Sequence, residues 1–192
     1  KNPISRIEVA SAGGYLSYEN IADKATVAGV EVEVRKNLFV RPLSSAANGM
    51  NKLSFGLNGS YIYTNAKMPL ATVTTGSEHE GAAPWIANFD LSHNFTKGNH
   101  SFINTLVLNY VSDKIYTIGT QGYQDIMEQG MMTLDFVSQA KLNKYVSLTL
   151  KARNLLNPSY KLSRKANESG EKVVLSDYKK GINISLGVSC TF

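Results

Sequence analysis

Several features that define common protein classes are missing from this sequence of 192 residues. It has no run of 18 or more apolar residues, which excludes a transmembrane helix. Its single cysteine, Cys190, excludes an internal disulfide and says nothing more about the compartment. Tryptophan occurs once, against 10 tyrosines and 7 phenylalanines. This excess of tyrosine is expected of a membrane protein, because amphipathic rings are enriched at the membrane–water interface.

Charge is also scarce, because charged residues make up 18% of the chain and hydrophobic residues only 43%. Low charge without high hydrophobicity argues against a polar soluble surface and against a helical membrane protein. A barrel with a polar lining and a lipid-facing coat satisfies both values. The net charge of +5 comes from lysines and arginines scattered over the chain, so no basic stripe is present and no nucleic-acid partner is expected.

Catalytic and metal-binding motifs are missing too. The three histidines, His79, His93 and His100, do not have the spacing of a metal site, even with Glu78 or Glu80. No G-x-S-x-G setting surrounds a serine. We therefore predict no catalytic residue, no metal site and no cofactor. Because some outer-membrane barrels are enzymes, an activity that depends on an inward-facing Ser or His stays an alternative.

What the sequence does contain is alternation of apolar and polar residues with period two. At the end of the chain the apolar row is Ile182, Ile184, Leu186, Val188, Cys190 and Phe192. Small or polar residues from Asn183 to Thr191 occupy the positions between them. Eleven residues of strict alternation predict a β-strand long enough to cross a bilayer when tilted.

The same pattern recurs upstream in six further segments. Their apolar members are Val30, Val32 and Val34; Leu53, Phe55, Leu57, Tyr61 and Tyr63; Trp85, Ala87, Phe89 and Leu91; Leu106, Leu108 and Tyr110; Leu134 and Phe136; and Leu148, Leu150 and Ala152. A weaker run, Pro3 to Val9, opens the chain. The pattern predicts an all-β protein of about eight antiparallel transmembrane strands.

The connections between these segments alternate between short and long. Lys97-Gly98-Asn99 and Leu142-Asn143-Lys144 are predicted tight turns. Long polar stretches run from Thr64 to Pro84, Ile115 to Gly130 and Asn157 to Asp177, and Ala10 to Lys24 falls on the same side. Outer-membrane barrels have short periplasmic turns and long extracellular loops. Lys36 to Met50 departs from this, because it is fairly long on the short side.

Aromatic residues are placed as two interfacial girdles would be. Tyr61, Tyr63 and Trp85 bracket a long loop and are predicted at the outer interface. Phe95 and Phe102 bracket a short turn and are predicted at the inner one. A soluble β-sandwich with buried aromatic residues stays an alternative, because periodicity alone does not exclude it.

Two groups of polar residues have a structural and a functional interpretation. The first group is predicted to face the lumen, where its members form ion pairs across neighbouring strands or line a plug or substrate surface: Glu31, Glu33, Arg35, Asp90, Asp135, Lys151 and Arg153. The second group lies in a long loop and either packs that loop or grips a sugar or peptide: Tyr116, Gln121, Tyr123 and Gln124. No substrate-binding residue is assigned from them.

Four segments together resemble TonB-dependent outer-membrane receptors, particularly those of Bacteroides-like bacteria. They are Tyr18-Glu19-Asn20-Ile21-Ala22-Asp23-Lys24-Ala25 with Gly29-Val30-Glu31-Val32-Glu33, Ala87-Asn88-Phe89-Asp90-Leu91, Ala152-Arg153-Asn154-Leu155-Leu156-Asn157-Pro158-Ser159-Tyr160, and the terminal aromatic Phe192. They follow the family's order and spacing over essentially the whole chain.

The resemblance implies a bacterial outer-membrane transport receptor that imports a nutrient such as a glycan, peptide, siderophore or cobalamin. Such receptors have a 22-stranded barrel and a plug, so residues 1–192 would be the C-terminal portion of the barrel, its last eight strands, without the plug. The implied partners are outer-membrane lipid, the TonB complex acting through the plug, the barrel-assembly machinery and, in Bacteroides-type systems, a surface lipoprotein.

The last strand carries a predicted assembly signal. The row Ile184, Leu186, Val188, Cys190 and Phe192 resembles the signal that the barrel-assembly machinery recognises, and on a lipid face Cys190 acts as a small hydrophobic residue. Because an open barrel edge leaves backbone amides unsatisfied in lipid, this strand is expected to pair with the first strand of a complete barrel. A complete small barrel of eight strands, acting as a structural anchor or adhesin, is the alternative; it predicts large side chains packed in the lumen.

Overall fold

The structure is a computed structural model that describes residues 1–9, 15–20, 22–43, 49–67, 78–120, 122–166 and 170–191. These residues form 13 β-strands: β1 (Ile4–Val9), β2 (Tyr15–Asn20), β3 (Lys24–Leu43), β4 (Gly49–Lys67), β5 (Trp85–Lys97), β6 (His100–Val111), β7 (Lys114–Thr117), β8 (Ile126–Glu128), β9 (Met131–Lys141), β10 (Val146–Arg153), β11 (Ser159–Lys165), β12 (Lys172–Lys179) and β13 (Asn183–Cys190). In the described ranges, no helix is long and apolar enough to cross a membrane.

Seven long strands form one sheet in the order β13-β10-β9-β6-β5-β4-β3. We call this sheet the wall. Every neighbouring pair is antiparallel. Strands that neighbour each other in the wall also follow each other along the chain, apart from the short strands between them. The wall is therefore an up-and-down meander, as the alternating pattern predicted, and it confirms the all-β antiparallel class.

Alternation gives the wall two different faces. The register places Phe55 beside Leu91, Leu91 beside Leu106 and Leu106 beside Phe136 on one side, which we call the apolar face. Residues one position away, such as Ser92 and Thr105, lie together on the polar face. On β4 the apolar face extends from Asn51 to Tyr61. Ten residue steps span about 34 Å of strand, or about 26 Å of height at the usual tilt, which matches the apolar band of membrane barrels.

The strands are longer than the alternation alone indicated. β3 has 20 residues and β4 has 19, and they pair from Lys24–Lys67 to Leu43–Gly49. The connection from Lys36 to Met50, which looked too long for the short side, is mostly strand, so only residues 44–48 link β3 to β4. Leu38 forms a bulge in β3, which is why the period-two pattern breaks there.

The predicted tight turns are confirmed. Gly98 has φ +58° between β5 and β6, a conformation that glycine adopts without steric cost. Between β9 and β10, the Asn143 side-chain oxygen accepts hydrogen bonds from the backbone N–H groups of Tyr145 and Val146, at 2.8 and 2.9 Å. Both turns lie at the same end of the wall, opposite the long connections.

The long connections are not all irregular, contrary to the prediction. The Ile115–Gly130 stretch contains most of β7 and all of β8, and Asn157–Asp177 contains β11 and most of β12. These four strands form a second sheet in the order β12-β11-β8-β7. These strands have from 3 residues in β8 to 8 in β12, so each is too short to show a clear alternation.

The opening run Pro3 to Val9 forms a strand, but that strand lies outside the wall. β1 pairs with β2 over Ile4–Val9 and Tyr15–Asn20. It also meets the second sheet through a bridge between Ile7 and Ile118. We call the six short strands β1, β2, β7, β8, β11 and β12 the cap. The wall thus contains seven of the about eight predicted strands, and the eighth belongs to the cap.

A small hydrophobic core holds the cap together. Ile7, Ile115 and Ile118 are buried in it, with Ile118 only 1% exposed, and Val9 and Met127 pack against them. The connectivity places the cap at the end of the wall where β6 and β10 finish and β3, β9 and β13 begin. This is the end with the long connections, which is extracellular in an outer-membrane barrel.

Candidate functional site

The polar face is acidic on one side, where it is formed by β3, β4 and β5. Glu31, Glu33 and Asp90 lie there with Arg35, which pairs with Glu33 on the same strand. Asn58 donates a hydrogen bond to Glu31 at 2.6 Å and accepts one from Asn88 at 3.2 Å. Amide side chains thus connect the three strands, and three carboxylates face one guanidinium.

Among the seven predicted lumen-facing charges, all of them in the described ranges, no ion pair within 4.0 Å joins neighbouring wall strands, although opposite charges of different strands line the same cavities. Both interpretations of these charges stay predictions. Of the seven residues only Glu33 and Arg35 pair, within β3. In the register, Gly56 separates Arg35 from Asp90 in one row, whereas Lys151 lies opposite the uncharged Ser185 and Val137. Ion pairs between strands occur in the cap instead, in Lys114–Glu128 at 3.3 Å and Lys161–Asp177 at 3.2 Å.

The polar face is basic on its other side. Lys151 and Arg153 project from β10 on the same face as Asp135 of β9. Lys180 follows β12 and lies near them, with its ammonium nitrogen 5.3 Å from the ring centre of Tyr160. Within the described residues none of these three cations has a carboxylate oxygen within 4.0 Å. None of them is therefore in an ion pair within this part of the chain.

Two asparagines fix the chain at this basic end. Asn154 and Asn157 have φ values of +58° and +45°, in the left-handed region that asparagine tolerates better than most residues. The Asn154 side chain donates to the Gly181 carbonyl at 2.7 Å, and the Gly181 N–H donates to the Asn157 side-chain oxygen at 3.0 Å. The Asn154 N–H donates to Asp135 at 2.8 Å. We call this arrangement the asparagine clamp.

The clamp explains the N-L-x-N motif physically. It joins three parts of the chain, β9 through Asp135, the turn after β10, and the segment between β12 and β13 through Gly181. The sequence showed the motif only as a resemblance. Its partners Asp135 and Gly181 were not identifiable, because they lie 19 and 27 residues away from Asn154.

A cavity of about 380 Å³ lies beside the clamp, where the wall meets the cap. Its lining combines charged, amide and aromatic groups, contributed by Met131, Thr133, Asp135, Arg153, Asn154, Pro158, Tyr160, Lys180, Gly181 and Asn183. This volume is within the usual range of small-molecule sites. The cavity belongs to the polar face, so it faces the lumen of a barrel built from this wall.

Ion pairs and ring contacts connect the parts of the cap. Arg6 of β1 pairs with Glu80 at 3.2 Å and stacks 4.1 Å from the ring centre of Tyr116. Burial lowers the pKa of Arg6, but the neighbouring Tyr116 and Glu80 outweigh it and raise that pKa overall. Arg164 of β11 pairs with Glu8 of β1. These contacts join connections that are far apart in sequence.

Tyr160 is an aromatic residue of the cavity lining. Its ring centre lies 5.0 Å from that of Tyr178 on β12. Burial raises the pKa of Tyr160 to about 12, and the negative charge of Glu128 and a hydrogen bond to it add to this rise. The phenol is therefore neutral at physiological pH and acts as a hydrogen-bond donor to Glu128.

The structure places the predicted girdle residues on the apolar face. Tyr61 and Trp85 lie opposite each other with ring centres 4.5 Å apart, and Tyr63 continues the same row on β4. Phe95 lies opposite Phe102 at the other end, with ring centres 6.4 Å apart. Their role as interface anchors stays a prediction.

The structure also places most of the predicted assembly signal. Ile184, Leu186, Val188 and Cys190 occupy the apolar face of β13, and all four are exposed. They lie opposite Ala152, Leu150, Leu148 and Val146 of β10. Phe192 lies outside the described residues. In the described part of the chain, β13 has a partner on one edge only.

The remaining candidates are dispersed. His79 lies in the connection before β5, His93 is on the apolar face beside Asn51, and His100 begins β6. Within the described ranges there is no group of three or more residues suited to a metal ion. Tyr116 and Tyr123 stack on Arg6 and Arg164, which favours the loop-packing interpretation; Gln121 lies outside the described residues.

A meander sheet with one apolar and one polar face, capped at the end with the long connections, is the wall of a membrane β-barrel. A family model described as TonB dependent receptor-like, beta-barrel matches residues 1–155. The chain therefore belongs to the TonB-dependent receptor barrel family, whose members are outer-membrane receptors and transporters. Comparisons with curated proteins and with solved structures give no match.

Proposed function

We propose that residues 1–192 form the C-terminal portion of a 22-stranded outer-membrane barrel that imports a nutrient actively, driven by TonB through a plug domain. The observation that carries the proposal is the combination of a lipid-compatible apolar face with a polar face across all seven wall strands. The apolar face contacts outer-membrane lipid in this arrangement.

The open edge of β13 supports a larger barrel. Its backbone groups would be unsatisfied in lipid at a cost of several kcal/mol each, so they require another strand. The sheet order has β3 and β13 at opposite edges, without the pairing between them that a closed small barrel needs. The polar-face residues Ser54, Gly56, Asn58 and Ser60 are also small or polar, as a wide lumen allows.

Barrel assembly and partner binding are further parts of the proposal. Ile184, Leu186, Val188, Cys190 and Phe192 form the signal for the barrel-assembly machinery, because they are an alternating apolar row that closes with an aromatic residue. The unpaired lumen charges provide contacts for a plug or a solute. The exposed cap provides the surface for a lipoprotein of the Bacteroides type. No step of this function requires catalysis by the chain.

Nutrient uptake in intact cells tests the proposal. A strain without the receptor should lose growth on one limiting nutrient among glycans, peptides, iron chelates and cobalamin. The complete receptor should restore growth in cells with TonB and fail to do so in cells without it. Growth restored equally without TonB would contradict active import. An envelope defect with normal uptake of every nutrient would support the structural anchor instead.

A further inference from the structure

The cavity beside the asparagine clamp has cations in its lining that form no ion pair with a described residue. Arg153 and Lys180 line it, and Lys151 lies two residues before Arg153 on the same face. Among the described lining residues Asp135 is the one carboxylate; it lies on β9, the strand next to that of Arg153, and accepts the backbone N–H of Asn154. Two cations against one carboxylate leave the lining with a net positive charge, and neither cation is in an ion pair within the described ranges, so both are available to an anion.

The positions of these cations are fixed by the fold. The asparagine clamp binds both backbone groups of Gly181, the residue next to Lys180. Arg153 is the last residue of β10 and lies opposite Asn183 of β13. The backbone positions of both residues are therefore fixed by their neighbours.

The acidic side of the polar face does not neutralise this charge. From β5 to β10 there are three strand intervals, because β6 and β9 lie between them. At about 4.8 Å each, the separation is about 14 Å, which exceeds the Debye length of about 8 Å at physiological salt. The distant carboxylates therefore do not cancel the net positive charge that Arg153 and Lys180 keep against Asp135, and a lumen with low-dielectric walls focuses the field of that charge.

We propose that this cavity binds a negatively charged group, a carboxylate or a phosphate, on the solute that enters the barrel from outside. Arg153 supplies a planar guanidinium that matches either group, and Lys180 supplies a second positive charge. The Tyr160 ring, next to Lys180, offers a flat surface for the rest of the solute. The inference rests on the proposed function, and it adds the chemical class of the ligand.

A lipid headgroup has the same chemistry but reaches the wrong face. The lining residues Thr133, Asp135, Arg153 and Asn183 all belong to the polar face, whereas lipid contacts the apolar face. A soluble anion in the lumen is therefore the occupant that the geometry favours.

Calorimetric titration of the complete receptor in neutral detergent with inorganic phosphate at low salt tests the inference. We expect saturable binding that weakens at least about tenfold in the double variant R153Q/K180Q, since two charge-assisted contacts are removed. The matched control is K141Q, which removes a polar-face cation at the opposite end of β9 and should bind phosphate as the unchanged receptor does. The single variant K180Q, outside any strand, gives an intermediate loss and serves if the double variant fails to fold.

Each outcome decides the question. No saturable binding, or equal binding by the unchanged receptor and R153Q/K180Q, would overturn the inference, as would an equal loss in K141Q. Displacement of phosphate by phosphatidylglycerol added to the micelles would assign the site to a lipid headgroup and also overturn it. A negative result here leaves TonB-dependent uptake untouched, because that is measured by growth with and without the receptor.

Discussion

At the scale of single residues, the asparagine clamp shows how two side chains replace a regular hydrogen-bond ladder. After Arg153, β10 ends, and the chain turns through Asn154 and Asn157 in left-handed conformations. Both amides then satisfy the backbone of Gly181, which would otherwise have lost its strand partners. A short polar side chain that tolerates this backbone is the requirement that the N-L-x-N spacing meets.

We predict that N154A destabilises the receptor by about 1–2 kcal/mol, because it removes a hydrogen bond and places alanine at positive φ. N157A should act in the same direction. The midpoint of thermal unfolding, measured by gel mobility of the complete receptor, reports the change. L156A is the control, since Leu156 is exposed in the same turn and no side-chain hydrogen bond is lost. Equal midpoints for N154A and L156A would contradict the clamp.

Tyr160 gives a second prediction at this scale. Its pKa of about 12 lies above the ordinary value, so the neutral phenol stabilises the fold fully below about pH 10. This contribution is lost as pH rises through about 12. Absorbance at alkaline pH should show one tyrosine that ionises late and disappears in Y160F. In E128Q this tyrosine should ionise at a lower pH than in the unchanged receptor but still above the ordinary tyrosine pKa, because burial is the larger cause of the shift. An unchanged titration in Y160F would refute the assignment.

Some residues of the apolar face are polar, and they form hydrogen bonds with one another. His93 shares a hydrogen bond of 2.8 Å with Asn51, and Ser138 donates to Asn104 at 2.7 Å. His93 and Asn104 lie opposite each other, so the two pairs form one row across β4, β5, β6 and β9. Mutual hydrogen bonding reduces the cost of placing these groups next to lipid.

At the scale of elements, period-two alternation decides which face of each strand meets lipid. Because successive side chains point to opposite faces, one residue step exchanges the lipid side for the lumen side. β6 shows this clearly, since Leu106 and Leu108 lie on the apolar face and Thr105 and Asn109 on the polar face. The bulge at Leu38 is the one place in β3 where the pairing register shifts.

We predict that L106R costs about 2–4 kcal/mol, because Leu106 lies midway between Phe102 and Tyr110 on the apolar face, near the centre of the bilayer. T105R, one residue away, faces the polar side and should cost far less. The folded fraction of the complete receptor during urea titration in lipid vesicles measures both. Equal losses for the two variants would show that the faces are assigned wrongly.

At the scale of the whole molecule, the cap connects regions that are distant along the chain. The Arg164–Glu8 pair spans 156 residues and is mostly buried, with side chains 16% and 19% exposed. Thr120 also donates a hydrogen bond to the Glu8 carbonyl at 2.6 Å. Three segments at this end of the wall, which contain Glu8, Thr120 and Arg164, are therefore packed against one another.

A double-mutant cycle with E8Q and R164Q should give a coupling energy of about 0.5–3 kcal/mol in the opening of β1. Hydrogen exchange of the Ile4–Val9 amides in the complete receptor measures that opening. The control pair is Lys161–Asp177, with side chains 38% and 42% exposed within one hairpin. Its coupling should stay below about 1 kcal/mol. No coupling between Glu8 and Arg164 would show that the cap strands open independently.

The wall could be predicted from the sequence because its information is local. Alternation in segments such as Leu53–Tyr63 and Asn183–Cys190 predicts that the segment is a strand, which of its faces is apolar, and that the protein is a membrane barrel. Each strand carries this pattern in its own residues, because one of its faces contacts lipid. The tight turns at Gly98 and Asn143 were equally local, because their chemistry involves adjacent backbone groups. The family resemblance rested on the same short segments.

The cap and the basic cavity were decided only by the tertiary structure. The strands β7, β8, β11 and β12 are too short to show a clear periodicity, and β1 joins this sheet through Ile118, more than 100 residues away from Ile7. Arg153 and Lys180 meet because the clamp joins Asn154 to Gly181 across 27 residues. The sequence by itself therefore determined the class of protein, through patterns that each strand satisfies alone. Which charges stay unpaired, and where they gather, depended on long-range contacts that no local pattern encodes.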